Sequence, residues 1–202
     1  MSLKICIYGH PVLKQKAGEI TGVTPEIRRL ADDMAEAMAA SGDGIGLAAP
    51  QVGQSIRMFI VDVDYIKNPS GNKRSGHKPG VFINPEVVWE SDKDEAMGEG
   101  CLSLPGIRAR VWRPLAIRMK YRDLDFKEHE IEAEGLMARC FLHEKDHLDG
   151  VLFVDRLNMA RRALLAGKLY LLRSRASHEI EPVLLKDYPS EDIPDEDEDV
   201  TI

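Results

Sequence analysis

Apolar positions recur along this chain with two different periods, and the periods divide it into helices and strands. Thr24-Pro25-Glu26 supplies a capping residue, a proline for the first turn and an acid near the positive end of a helix. Ile27, Leu30, Met34 and Met38 follow at helical spacing, so this helix is predicted to lay one face on a core. Ser41-Gly42-Asp43-Gly44 ends it. Residues 56–63 and 81–89 read as strands rich in β-branched residues. The polar stretch 65–80 between them, rich in Gly, Pro and Lys, reads as a loop. Residues 115–122 alternate as a half-buried strand does, and Asp123-Leu124-Asp125-Phe126 turns the chain into a partner strand, 127–133. A helix follows Gly135, with Leu136, Met137, Cys140 and Phe141 on its apolar side, and Gly150 stops it. Val151-Leu152-Phe153-Val154 reads as a strand and residues 158–177 as a last helix. Residues 44–53, a run of small side chains, show neither period.

These elements predict an α+β fold: short, mostly antiparallel strands packed around a central helix, plus a C-terminal helix. Strands and helices do not alternate strictly, which argues against a doubly wound parallel sheet. A chain of 202 residues is long enough for one domain with a real core. No apolar run approaches the ~20 residues that span a bilayer. The N-terminus lacks the apolar core of a secretory signal. Three widely spaced cysteines offer no disulfide framework, so a reducing, cytoplasmic setting is expected. Charge alters the picture only at the C-terminus. The net charge is −7, but residues 190–202 carry seven acids and no base, leaving 27 acids against 27 bases elsewhere. Residues 1–178 are therefore read as the folded domain and 179–202 as a solvated acidic tail without a function of its own.

The central helix carries the chemistry. His143-Glu144-Lys145-Asp146-His147 is an H-E-x-x-H motif. Four residues make about one helical turn, so both imidazoles share a face and can bind one metal ion. Glu144 is placed to reach a water at that ion without binding it. A divalent metal lowers the pKa of such a water to ~7, so the motif points to metal-assisted hydrolysis. Reactive sites of this kind have three protein ligands and one open position. The common third histidine, three residues beyond Gly150, is replaced by Phe153. His10, His77, His129, Cys6, Cys101, Cys140 and many carboxylates remain as candidates. Cys101, in Glu99-Gly100-Cys101-Leu102-Ser103-Leu104-Pro105-Gly106, completes the set best, because a thiolate is a strong ligand for zinc or ferrous iron. A lone Cys is more often a small buried hydrophobe. Gly44-Ile45-Gly46-Leu47-Ala48-Ala49-Pro50-Gln51 is too weak for a nucleotide loop. It fits a bare backbone wall for an extended substrate, with Gln51 as an amide donor to a developing oxyanion.

In this order the three segments resemble the peptide deformylase family, which carries G-x-G-x-A-A-x-Q, E-G-C-L-S and H-E-x-x-D-H-L. The start, Tyr8-Gly9-His10-Pro11-Val12-Leu13, is also similar, and the resemblance spans residues 5–172. It implies removal of the formyl group from formylmethionine at the start of nascent polypeptides, with release of formate. It implies Cys101, His143 and His147 as ligands of one divalent metal, usually Fe2+ in the cell, with Zn2+, Ni2+ or Co2+ as alternatives. Glu144 becomes the general base, and Gln51 and the Leu102 N–H stabilise the oxyanion. Gly44, Gly46 and Gly100 pair with the peptide backbone. Ile45, Met97, Leu136, Cys140 and the His143 ring line a pocket for the methionine side chain. Arg108 is read either as holding a substrate carbonyl or as an ordinary exposed surface arginine, and Arg139 is expected to line the pocket rim with its charge in water. Leu142 stands where the family usually has Gln, a position without assigned chemistry. The basic C-terminal helix, with Arg161, Arg162, Lys168, Arg173 and Arg175, is either a solvated face or a ribosome-docking element. Neither membrane contact nor direct DNA binding is expected. A general metallopeptidase, a catalytically inert peptide binder and a thiol hydrolase built on Cys101 are competing readings. The last leaves Glu144 and His147 unexplained.

Overall fold

The computed structural model describes residues 3–42, 44–62, 66 and 78–178. Thr24 caps α1 (Pro25–Ala40), its side chain accepting from the Ile27 N–H. Seven strands follow: β1 (Gly46–Ala48), β2 (Met58–Val61), β3 (Gly80–Glu90), β4 (Asp94–Gly100), β5 (Arg108–Pro114), β6 (Ala116–Arg122) and β7 (Glu128–Glu134). They lead into α2 (Gly135–Leu148), α3 (Met159–Leu164) and α4 (Ala166–His178). Five strands form an antiparallel sheet in the order β1-β2-β3-β6-β7, while β4 and β5 make a separate hairpin. The α+β class, the central helix and the C-terminal helix are as expected from the pattern.

The central strand explains the packing. All four residues of β2 are buried, because the sheet is covered on both faces. Phe59 and Val61 join Phe82, Ile117 and Met119 beneath Ala138, Phe141 and Leu142 of α2. Met58 and Ile60 join Leu47 and Ile83 beneath Met34, Ala37 and Met38 of α1. Phe141 lies 4.7 Å from Phe82 and 6.0 Å from Phe59 between ring centroids, which anchors α2 to the sheet by aromatic contact. A third cluster packs the hairpin, through Val111, against Val12, Leu13, Phe153, Leu169 and Leu172.

Several expectations shift. Pro85 cannot donate to the ladder, and the β3–β6 register slips between Ile83 and Glu86. Asn84 takes a positive φ there, and its side chain bonds both backbone groups of Ile20. The 56–63 strand shortens to β2, with Ile56 bridging Gly18 and Val63 outside the described residues. Residues 65, 67–77 and 179–202, which hold most of the expected loop and all of the acidic tail, also lie outside them. The aperiodic 44–53 stretch resolves into β1 and a 3-10 turn, Ala49–Val52. The strand expected at 151–154 is wrong: Phe153–Arg156 is a 3-10 turn, held by the Asp155 carboxylate accepting from Leu152 N. The last helix breaks at Leu165, whose N–H turns back to Arg162. The β4–β5 hairpin was absent from the pattern. Among the described residues no helix is long and apolar enough to cross a membrane.

Gly150 ends α2 with φ +72°, and a Cβ there would meet the Lys14 carbonyl at 2.8 Å. Left-handed backbone costs an L residue about 1–2 kcal/mol before that collision is counted. Gly150→Ala is therefore expected to lower the thermal unfolding midpoint by roughly 2–4 °C for each kcal/mol lost, read by calorimetry.

Candidate metal centre

Helix α2 presents its chemistry on the side away from the aromatic anchor. His143 and His147 leave it one turn apart, with ring centroids 5.1 Å apart and planes at 71°. Phe153 stacks over His143. Cys101 directly follows β4, and its Sγ lies 3.2 Å from His147 Nε2. Ligand atoms of Cys101, His143 and His147 all fall within 4.8 Å of one another, the one such His, Cys and carboxylate cluster among the described residues. Of the open candidates among the described residues, Cys101 is the one brought within reach of both histidines. His10 instead caps the Pro11–Lys14 turn, His129 pairs with Asp123 at the surface, and His77 lies outside the described residues.

Buried carboxylates orient this set. Glu99 Oε2 lies 2.9 Å from His143 Nδ1, which leaves Nε2 facing the cluster. Arg113 forks onto Glu99 at 2.6 and 2.9 Å and reaches Asp146 at 2.8 Å. Arg156 grips the same Asp146 with two 2.5 Å bonds. Burial alone would raise the Glu99 carboxyl, but the bonds from Arg113 and His143 outweigh it and hold it well below the usual carboxylate range. Burial alone would lower His143, yet its bonds to Cys101 and Glu99 raise it well above the ordinary value. Burial and the neighbouring charge of His143 push His147 down. A thiolate and two imidazoles form a donor set suited to zinc, ferrous iron, nickel or cobalt. The residues fit a bound divalent ion.

The remaining groups surround this point. Glu144 is 4% exposed, and its Oε2 has no hydrogen-bond partner. Burial pushes its carboxyl up to about 7. Gln51 is pinned through its own amide: Oε1 accepts from Ala48 N, while Nε2 donates to Ser103 Oγ at 3.2 Å and Cys101 Sγ at 3.4 Å. Gly46 opens β1 so close to α2 that a Cβ would stand 2.5 Å from Glu144 Oε1 and 2.9 Å from Cys140 Sγ. Gly44 lies beside Leu102, and Ile45 packs against the main core. Met97 sits mid-strand in β4, Gly100 pairs with Arg108 across the hairpin, and Leu136 is exposed in the first turn of α2.

Arg139 departs from expectation. Its charge was expected in water, but it is 5% exposed. Its Nη1 donates to Glu99 Oε1 and to the Val111 carbonyl, and its Nη2 to the Glu95 carbonyl. Sequence reasoning gave no role to Glu99, Arg113, Asp146, Arg156 or Ser103. Glu99 and Asp146 stood inside the quoted motifs and were available as carboxylates; Arg113 and Arg156 carried no signal.

An H-E-x-x-H helix that meets a cysteine sulfur beside a buried carboxylate defines a metal-dependent hydrolase. The sequence model of the polypeptide deformylase family matches residues 2–163. Peptide deformylases of Salinibacter ruber and Chlorobaculum parvum are 43% and 47% identical, over 93% and 80% of this chain and 96% and 83% of theirs. A solved plant peptide deformylase is 35% identical with a TM-score of 0.79, covering 90% of this chain and 95% of that one. One from Plasmodium falciparum is 34% identical with a TM-score of 0.78, covering 87% and 98%. The chain belongs to the peptide deformylase family, metal-dependent hydrolases that remove the N-terminal formyl group from nascent peptides.

The Gly46 contact yields a test. A methyl at position 46 must displace the Glu144 carboxylate, and displacement of a reacting group by ~1 Å can cost about 10²-fold in rate. Gly46→Ala is expected to keep its metal, by elemental analysis, while formate release falls by about that factor.

Proposed function

We propose that Cys101, His143 and His147 hold one divalent metal ion and that Glu144 is the general base of formyl hydrolysis. The observation that carries this reading is the buried, unpartnered Glu144 Oε2 beside three converging ligand atoms. When bound, the ion supplies Lewis acidity, acidifying water and polarising the formyl carbonyl. Glu144 takes the proton of the attacking water at Oε2 and returns it to the leaving amine nitrogen. A carboxyl whose pKa is raised to about 7 can hold that proton between the two transfers. Gln51 Nε2 and the Leu102 N–H donate to the formyl oxygen as it gains charge. The pinned Gln51 amide supports this role: Ala48 N and Ser103 Oγ fix its plane, and the N–H now on the Cys101 sulfur is the one that turns to the formyl oxygen.

Strand β1 supports backbone recognition. It stands at one end of the sheet, so an extended peptide can pair along Gly44–Gly46 and Gly100. Ile45, Met97, Leu136, Cys140 and the His143 ring line the pocket for the methionine side chain. Arg108, exposed opposite Gly100, holds a substrate carbonyl. Backbone pairing tolerates varied downstream sequences, as a general processing enzyme requires. Residues 1–178 form the catalytic domain and 179–202 an acidic extension. Ferrous iron is the proposed ion in the cell, zinc, nickel and cobalt are alternatives, and the setting is the cytoplasm. Basic side chains on α3 and α4, together with exposed Met159, Leu164 and Tyr170, favour docking of this end on the ribosome.

Glu144→Ala is expected to retain metal and lose about 10²–10⁴-fold in turnover. Formyl-Met-Ala-Ser should release formate while Met-Ala-Ser is left intact; cleavage of the unformylated peptide would favour a general metallopeptidase. Cys101→Ser should weaken metal binding, and a fully active, metal-retaining Cys101→Ala protein would refute the ligand assignment. Chelation should abolish activity, whereas a thiol hydrolase would keep it.

A further inference from the structure

We propose that Arg139 is a positioning residue for the metal centre: its guanidinium fastens the β4–β5 hairpin, and with it Cys101, to the helix carrying His143 and His147. This inference rests on the Cys101–His143–His147 ligand set. Two of the ligands belong to α2 and the third to the end of the hairpin. Among the described residues no backbone ladder joins that hairpin to the five-stranded sheet. Backbone bonds fix its base, from Ser91 N to the Ala116 carbonyl, Leu115 N to the Lys93 carbonyl and Gly135 N to the Leu115 carbonyl, and one from Tyr8 N to the Ser103 carbonyl reaches its tip. Between base and tip, its strands are held against α2 by side chains.

Arg139 precedes His143 by one helical turn, so both side chains leave the same face of α2. The guanidinium donates to the Glu95 carbonyl on β4 at 2.7 Å and to the Val111 carbonyl on β5 at 2.8 Å, spanning both strands. It also donates to Glu99 Oε1 at 2.7 Å. Glu99 stands two residues before Cys101, and its other oxygen holds the His143 ring. One planar fork thus acts on the strand of one ligand and on the ring of another. Arg113 makes the reciprocal link, from the hairpin to Asp146 on α2. A lysine cannot reproduce the Arg139 fork, because an ammonium on a flexible stem does not present fixed, parallel donors to separate acceptors.

The test uses the full-length protein loaded with cobalt, in wild type, Arg139→Met, Arg139→Lys and the surface control Arg118→Met. Three quantities are read: the thiolate-to-cobalt absorption band, the rate of cobalt loss to a chelator, and hydrogen exchange by segment. The wild type should show the band. Arg139→Met should lose cobalt about 10–100-fold faster, the usual effect of removing a group that orients metal ligands. Exchange should rise in residues 94–101 and 108–114 and stay unchanged in β2, β3 and β6. Arg139→Lys should fall between the two, and Arg118→Met should match wild type. Cobalt loss equal to wild type, or exchange that rises alike in every strand, overturns the proposal. If Arg139→Met does not fold, Arg139→Lys decides: wild-type cobalt loss and exchange in that variant also overturn it. A wild-type protein with no thiolate band refutes the ligand set itself, a failure distinct from a normal band that the Arg139 variants leave unaffected.

Discussion

The centre of this molecule depends on one buried carboxylate. Glu99 accepts two bonds from Arg113, one from Arg139 and one from His143, with every partner on a different element or a different turn from its own. Burial would neutralise an isolated carboxyl at this depth; the surrounding donors keep it charged. Removing one partner of such a buried pair typically costs about 3–5 kcal/mol, because the other charge stays behind without compensation. Asp146 extends the pattern by bridging Arg113 to Arg156. Charges therefore alternate from the turn after α2, through the hairpin, to the imidazole of His143.

Around this network the hydrophobic core sets distances. Phe141 locks α2 to the sheet on one side, so the opposite side of the helix is held at fixed depth. Gly46 then lets β1 approach until its backbone nearly touches Glu144. The same glycine stands at both the proposed general base and the proposed substrate edge. The dryness of the site sets the Glu144 carboxyl apart: an exposed glutamate would be an ordinary carboxylate, and burial pushes this one up to about 7.

Much of this was legible in the chain. The α1 cap, the β6–β7 alternation and the α2 stop at Gly150 are local patterns with local causes. The H-E-x-x-H spacing is local too. The β4–β5 hairpin was not legible, because Asp94–Gly100 is polar and glycine-containing and has little strand propensity. It becomes a strand by pairing with Arg108–Pro114, whose inward positions are Val111 and a buried arginine. The apolar run 151–154 misled for the opposite reason: Leu152, Phe153 and Val154 are buried, but Asp155 turns the backbone. Arg139 misled because exposure is the ordinary fate of arginine, and only the acceptors around it show otherwise.

The sequence alone determined which atoms could bind a metal and which carboxylate could act as a base, since residue type and helical spacing are properties of short segments. It also determined the fold class, through the two periods of apolar residues. Only the tertiary structure brought Cys101 up to the two histidines, set Glu99 against the His143 ring and turned Arg139 inward. Those outcomes depend on contacts between residues some 40 positions apart. Such contacts exist only after burial has raised the cost of every unpaired charge and forced the charges to find one another.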